Sequence, residues 1–249
     1  ASEAEASALV ASYGSPAQAR EALAEAIAGW RDVVEGVRVA TPSPEIDLMV
    51  NGWLAYQNLS CRMHGRTAFY QSGGAFGFRD QLQDALSLLA LDPGYARRQI
   101  VLHASHQFVE GDVLHWWHPP ASKGIRTRFA DDLLWLPYAA ATYVDATGDA
   151  SVLDEQARFV SGPPLELGED EAFLFATDSG ERASVYEHCC RAIERSLAVG
   201  AHGLPLIGTG DWNDGMNRVG REGRGESTWM GFFLVHVLDG FAHLCDRRG

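Results

Sequence analysis

The chain has 249 residues, a length that fits one large domain or two small ones and allows a sizeable core. Its formal net charge of -13 argues against electrostatic binding to nucleic acid or to an anionic membrane. Hydrophobic residues make up 46% of the sequence, but no apolar run predicts a bilayer span. We therefore expect a globular protein without a nucleic-acid partner.

The cysteines and the chain ends add two expectations. Four cysteines occur without a CxxC motif, and Cys189 and Cys190 are adjacent, which favours buried thiols in a reducing compartment. There is no N-terminal targeting signal and no initiator methionine, and the last segment reads as a helix that is cut short. These features predict an internal fragment of a longer protein.

The clear periodic segments, in chain order, are all predicted helices. Residues 2–38 predict two helices, the second with an N-cap serine before Pro16, and Ser43 with Pro44 opens another. Further helices are predicted over residues 78–93, 94–109, 131–149, 149–160, 179–200 and 227–244. Gly200 is predicted to terminate the last helix but one, and residues 159–177 are compatible with a strand or an irregular segment. The predicted fold class is all-α.

Three long loops separate these helices, over residues 63–79, 109–129 and 200–226. Each of them combines aromatic residues with carboxylates and arginines. Aromatic rings stack on the C–H faces of sugars. A planar carboxylate, amide or guanidinium group can form two hydrogen bonds at once and so binds hydroxyl groups in bidentate fashion. Long loops in a helical array are also where function concentrates. The shared composition indicates a carbohydrate site.

The third loop carries the strongest candidate for chemistry, the stretch GTGDWNDGMNRVG at 208–220. A glycosidic bond breaks through an oxocarbenium-like transition state, and a carboxylic acid protonates the leaving oxygen. Such an acid needs a raised pKa, which desolvation beside an indole and a second nearby carboxylate both provide. Asp214, with Trp212 and Asp211 close in sequence, fits this description. For Asp211 and Asn213 the favoured interpretation is the capping of backbone N–H groups in a turn.

The histidines raise the alternative of a metal site. His115 and His118 are three residues apart, as are His103 and His106, but no HExxH motif exists and two prolines follow the first pair. The favoured interpretation is a polar cleft lined by His115, Trp116, Trp117 and His118.

Two arginines in GIRTRF leave a second alternative open. Arg126 and Arg128 are either surface charges or residues that order the cleft or bind an anion such as phosphate.

Three motifs in the same order resemble glycoside hydrolase family 94, the inverting phosphorylases of β-linked glucosides. They are YQSGGAFGFRDQLQD at 70–84, HWWHPP and GIRTRFADDLLWLPYAAATYVDATGD within 115–149, and GLPLIGTGDWNDGMNRVG at 203–220. The resemblance runs from about residue 50 to the end. The amino-acid sequence of these motifs is similar to that of the phosphorylase-like C-terminal region of cyclic β-1,2-glucan synthases.

The resemblance implies an (α/α)6 barrel over residues 44–249, incomplete in this chain, after an N-terminal helical segment or linker over 1–43. It implies that Asp214 is the general acid and that Trp212 lines the glycone subsite. Asp80, with Arg79 beside it, matches a carboxylate that binds glycone hydroxyls. We extend the expected substrate contacts to Asp211, Asn213, Tyr70, Gln71, His115, Trp116, Arg126 and Arg128.

The implied reaction is inverting phosphorolysis of a β-1,2-glucan or oligoglucan to α-glucose 1-phosphate, without a cofactor or metal. Inorganic phosphate is the nucleophile, so one acid suffices where an inverting hydrolase needs two carboxylates roughly 6.5–9.5 Å apart. Within a cyclic β-1,2-glucan synthase the same reaction controls chain length. The use of phosphate implies a cytoplasmic setting, at the inner face of the inner membrane if segments outside this chain anchor the protein.

Two alternatives to phosphorolysis stay open. One is an inverting hydrolase on the same scaffold, with Asp131 or Asp132 as the base that activates water. The other is a non-catalytic glucan-binding module that keeps the aromatic and carboxylate groups.

Overall fold

The computed structural model describes residues 2–65, 73–166 and 168–248. The chain forms two compact units, Ala1–Asn58 and Leu59–Gly249. The division predicted between residues 43 and 44 stays a prediction.

The first unit is helical throughout its regular part. Helices α1 (Glu3–Tyr13) and α2 (Pro16–Val34) both begin with a serine capping box, at Ser2 and Ser15. The predicted start of α2 is therefore confirmed. After α3 (Pro44–Leu48) the chain continues through wide helical turns at Met49–Trp53 into α4 (Leu54–Gln57), and Asn58–His64 forms a further wide-turn segment.

In the second unit, helix α7 (Trp135–Thr147) lies at the centre of the core. It packs against α5 (Phe78–Leu86), α6 (Pro93–Ala104), α8 (Val185–Ser196) and α9 (Thr228–Arg248). Small residues on α7 allow these neighbours to approach closely. The larger side chains of α7 that are buried in the core are Leu136, Tyr143 and Val144. Gly148 ends the helix in the left-handed conformation, with its N–H bonded to the Val144 carbonyl.

The all-α prediction is wrong in two places, because two antiparallel sheets accompany the helices. One sheet has the order β1-β2-β3-β5, formed by Phe76–Gly77, Leu114–His118, Lys123–Thr127 and Glu171–Phe175. The other pairs β4 (Gln156–Ser161) with β6 (Thr177–Ser184).

These strands replace parts of two predicted helices. Residues 150–154 form only a short 3-10 turn before β4, in which Ala157, Phe159 and Val160 are buried. Helix α8 begins at Val185 after β6 and ends at Ser196, so Gly200 does not terminate it. Tertiary pairing with partners distant in sequence overrides the local helical pattern here.

Helix α9 corrects the expectation that no segment could span a bilayer. Its residues Thr228–Asp246 are long and apolar enough by length and composition, with a mean hydropathy of 1.2. The same helix contributes Leu234, Val237 and Phe241 to the core cluster. A core helix of a globular protein passes the same test, so the finding is weak evidence for a membrane.

His106 is a buried histidine in this core. Its side chain stacks on Trp117 with ring centroids 3.9 Å apart, and Nδ1 donates to the Leu102 carbonyl at 2.8 Å. Burial lowers the pKa of His106 from 6.5 to about 4, and the positive charge of Arg158 adds to this effect.

We therefore predict acid destabilisation that His106→Gln relieves. Because the folded-state pKa lies below the unfolded value, His106 does not lower the free energy of unfolding above pH 6.5. It lowers that free energy progressively as the pH falls from 6.5 towards 4. The free energy of unfolding should fall across this window by about 3 kcal/mol less in the variant than in the wild type. Urea unfolding at several pH values measures the slopes. The exposed His243→Gln is the control, and equal slopes for His106→Gln and wild type would contradict the assignment.

Candidate active site

A cavity of about 160 Å³ collects residues from the three loops and the start of α5. It is lined by Ala75, Gly77, Arg79, Asp80, His115, Trp116 and Asp214. This volume is below the roughly 300–1,000 Å³ of typical ligand pockets. The cavity therefore suits a single ring or another small part of a longer ligand.

The guanidinium of Arg79 connects the separate parts of this site. Its Nη1 donates to both carboxylate oxygens of Asp131, each at 3.1 Å, and to the Asp211 carbonyl at 3.1 Å. Its Nη2 donates to Oδ1 of Asp214. Arg79 itself is only 6% exposed, and the aromatic ring of Phe129 lies 5.6 Å from its central carbon. One buried cation thus fixes the loop that carries Asp214 against the segment that carries Asp131.

Asp131 and Asp132 form the acidic floor beneath Arg79. Asp131 is fully buried and also accepts a hydrogen bond from Trp135 Nε1 at 3.0 Å. Burial and the neighbouring charge of Asp132 raise the pKa of Asp131, while Arg79 and Trp135 oppose this rise. Burial opposes the charged form of Arg79, but the carboxylates of Asp131 and Asp132 outweigh this effect and raise its pKa.

His115 reaches the cavity because strand β2 is irregular. The pairing register with β3 shifts between Leu114 and Trp116, and such a bulge redirects side chains next to it. His115 Nδ1 lies 2.7 Å from Asp132 Oδ2, and the imidazole stacks on Phe129. Burial opposes protonation, but the carboxylate of Asp132 raises the pKa of His115.

Glycines allow the third loop to lie against the segment that follows β3. Gly208 and Gly210 pair with Phe129, and a Cβ atom on Gly210 would fall 2.1 Å from the Phe129 ring. Gly208 has a φ of +61° and faces the Arg128 carbonyl. The flexible residues of this loop therefore serve close packing, which brings Asp211 and Asp214 to Arg79.

Asp211 and Asn213 have the turn-forming role that the sequence favoured. Asp211 Oδ1 accepts from Asn213 N at 2.9 Å, and Asn213 Oδ1 accepts from Gly215 N at 3.0 Å. Asp211 Oδ2 accepts from the hydroxyl of Ser227, which also accepts from Met230 N at the start of α9. Asp211 is 8% exposed, and both of its carboxylate oxygens thus accept hydrogen bonds from the protein itself.

Asp214 and Asp80 are the exposed residues of the cavity lining, and the predicted glycone contact Trp212 is not part of that lining. The Asp214 side chain is 59% exposed, so burial in this chain does not supply the desolvation expected for a general acid. The carboxylate of Asp80 lines the cavity and has no hydrogen-bond partner among the residues that the structure describes. Trp212 is 53% exposed, and its Nε1 lies 3.4 Å from Gln83 Oε1.

Arg126 lies in the interior, with no N–H left for a substrate. Its Nε and Nη2 donate to the two carboxylate oxygens of Asp112 at 2.7 Å, and Nη2 also reaches Glu110. Its Nη1 donates to the carbonyls of Gly162 and Pro163. At 2% exposure and with all five N–H groups engaged, Arg126 organises the cleft architecture and is a poor candidate for phosphate binding.

Arg128 also holds protein groups. It is exposed and donates to the carbonyls of Leu165, Glu166 and Glu169, which fixes the segment before β5. Two further predicted contacts, Tyr70 and Gln71, lie outside the described residues.

Sequence reasoning missed the central position of Asp131 and Phe129 beneath Arg79. A usable signal was the direct continuation of GIRTRF into Ala130, Asp131 and Asp132, but their function depends on docking of the third loop. Both carboxylates are buried and engaged by Arg79 or His115. This arrangement disfavours either one as the water-activating base of a hydrolase.

A larger cavity of about 240 Å³ lies between α7 and α9 and contains none of the predicted site residues. In the described parts of the chain, no group of three or more His, Cys, Asp or Glu side chains is arranged to hold a metal ion. The 160 Å³ cavity, where the predicted motifs meet, is therefore the candidate active site.

The helical core and the carboxylate–arginine–aromatic cavity fit a carbohydrate-active catalytic domain. Residues 29–249 match the catalytic domain of the Glycosyl hydrolase 94 superfamily, and the chain belongs to this family.

Named relatives in the same family extend the comparison. The chain is 50% identical to the cyclic beta-(1,2)-glucan synthase NdvB of Rhizobium meliloti (strain 1021) over 88% of this chain and 8% of that protein. It is 30% identical to the solabiose phosphorylase of Paenibacillus borealis over 92% of this chain and 26% of that protein. A 1,2-beta-oligoglucan phosphorylase of Listeria innocua is 28% identical over 70% of this chain and 16% of that protein. The chain thus spans about a quarter or less of the length of each of these relatives.

We predict that Asp131→Asn destabilises the protein by about 3 kcal/mol, because it removes the buried counter-charge of Arg79 and leaves only the exposed Asp214 and the more distant Asp132 to compensate the cation. The matched control is Asp170→Asn, which breaks the surface pair with Arg221 and should cost less than about 1 kcal/mol. Chemical unfolding at pH 7 measures both. Equal effects of the two substitutions would refute the central role of the Arg79–Asp131 pair.

Proposed function

We propose that the protein catalyses inverting phosphorolysis of β-1,2-linked glucan or oligoglucan to α-glucose 1-phosphate. Asp214 is the general acid in this proposal. The observation that supports it is the convergence of Asp214, Asp80 and Trp116 on one cavity around Arg79. Membership of the family and the names of the relatives support the reaction class and the substrate class.

The reaction would proceed in one displacement. A phosphate oxygen attacks the anomeric carbon from the face opposite the leaving group and forms the new C–O bond. The glycosidic bond breaks at the same carbon, and Asp214 transfers its proton to the departing oxygen. The electron pair of the broken bond stays with that oxygen, which leaves as the hydroxyl of the shortened chain.

The described contacts support a role for each neighbouring group in this proposal. Arg79 positions Asp214 and donates a hydrogen bond to the carboxylate that remains after proton transfer. Asp80 is available to accept hydroxyl groups of the glycone, and Trp116 offers an aromatic face beside it. Trp212, which is exposed and two residues from Asp214 in the chain, would supply a second ring. The enclosed sugar would displace water from Asp214 and so supply the desolvation that the free chain lacks.

We also propose the wider setting of this reaction. The helices of the second unit would form part of an (α/α)6 barrel. In a glucan synthase, phosphorolysis would limit the length of the chain before or around cyclisation. Its dependence on phosphate places the reaction in the cytoplasm, at the inner face of the membrane if other segments anchor the protein.

The test uses the protein at its natural length as wild type and as Asp214→Asn, with β-1,2-glucooligosaccharides in the presence and absence of phosphate. Wild type should form α-glucose 1-phosphate only with phosphate, and the variant should lose roughly 10²- to 10⁴-fold in rate, because an amide cannot donate the proton. The exposed Glu222→Gln in the same loop is the control and should retain its rate.

Other outcomes would replace the proposal. Glucose released equally without phosphate would identify a hydrolase. A folded protein that binds glucan but forms no product would identify a binding module.

A further inference from the structure

The outward face of the four-stranded sheet carries a row of three aromatic rings, and the outer two of them are exposed. Strands alternate their side chains between two faces, so Trp117 on β2 points into the core while Trp116 points outward. The pairing register places Trp116 opposite Ile125 on β3, and Ile125 opposite Phe173 on β5. Phe175 follows on the same face of β5, opposite Lys123. We call Trp116, Phe173 and Phe175 the aromatic strip.

Two of the three rings of the strip, Phe173 and Phe175, are open to solvent, whereas Trp116 is partly buried. Phe173 is 54% exposed and Phe175 is 63% exposed. Leu174, between them on the opposite face of the same strand, is only 8% exposed, so β5 does have a buried face that these two rings do not use. Large exposed apolar groups in a contiguous row indicate a binding surface.

The strip is continuous with the candidate active site. Trp116 lines the 160 Å³ cavity, and its ring centroid lies 5.7 Å from that of Phe173. Phe173 and Phe175 are two residues apart on one strand, which separates them by roughly 7 Å along its axis. The rings thus form a path that leaves the cavity and runs out along the sheet.

One polar group of this surface, the ammonium of Lys123, lies between the two exposed rings. Lys123 Nζ lies 4.9 Å from the ring centroids of both Phe173 and Phe175. Aromatic faces bind the C–H faces of sugar rings, and an ammonium group between them can donate to hydroxyl oxygens. A net charge of -13 disfavours an acidic partner, whereas a neutral polyhydroxylated chain is not repelled.

We propose that the aromatic strip binds the part of a β-glucan chain that extends beyond the cavity, with Lys123 as a hydroxyl donor. This inference rests on the proposed function, because it takes the cavity as the site where the terminal sugar binds. The small cavity volume holds one ring, so affinity for a longer chain must come from a surface outside it. The strip would make the protein selective for chain length.

The experiment compares wild type with the double variant Phe173→Ser and Phe175→Ser in the protein at its natural length. Isothermal titration calorimetry without phosphate measures the affinity for a β-1,2-linked disaccharide and for a series of longer oligomers. The wild-type affinity should rise with chain length. The variant should bind the longer oligomers about tenfold more weakly and the disaccharide equally well, because only the stacking contacts of the strip are lost.

A second variant, Phe173→Tyr with Phe175→Tyr, keeps both rings and should retain the wild-type dependence on length, which separates ring loss from a folding defect. Equal length dependence in wild type and the serine variant would overturn the inference and leave phosphorolysis standing. An unchanged disaccharide affinity with weaker long-chain binding supports the strip even if no α-glucose 1-phosphate forms. A protein that binds no oligomer of any length would overturn both proposals.

Discussion

The site depends on the burial of one positive charge. Arg79 has almost no contact with solvent, and its guanidinium is compensated by groups 52, 132 and 135 residues away in sequence. Burying a charge is unfavourable unless it is paired and hydrogen-bonded, so these partners have to be in place together. The fold of the second unit and the geometry around Asp214 consequently depend on the same set of contacts to Arg79. A change that frees Arg79 from Asp131 would disturb the core and the candidate active site at once.

The sequence predicted the helices well where the apolar pattern was long, as for α7 and α9, whereas the helix predicted over 78–93 ends at Leu86. It failed at β2 and β3, where two prolines in the turn predicted a loop, and at β4, where the helix predicted over 149–160 overlaps the strand Gln156–Ser161. Short apolar runs carry no period that separates the two states, and pairing partners far along the chain decide between them.

In the candidate site, too, local sequence predicts some features, whereas contacts between distant segments decide others. Turn roles for Asp211 and Asn213 follow from local chemistry and agree with the hydrogen bonds found. The interior position of Arg126 does not follow from its neighbours in sequence, because Asp112 and the carbonyls of residues 162 and 163 meet it only in the folded chain. Arginines with free donors and arginines that hold the fold look identical in a sequence. Tertiary structure is needed to tell which of them a substrate can reach.

The hydroxyl of Ser227 joins the loop of Asp214 to the last helix. It donates to Asp211 at 2.7 Å and accepts from the first turn of α9 at 3.1 Å, so both elements share a single oxygen atom. A shift of the first turn of α9 would therefore move the hydroxyl that holds the Asp211 carboxylate, three residues before Asp214 in the chain.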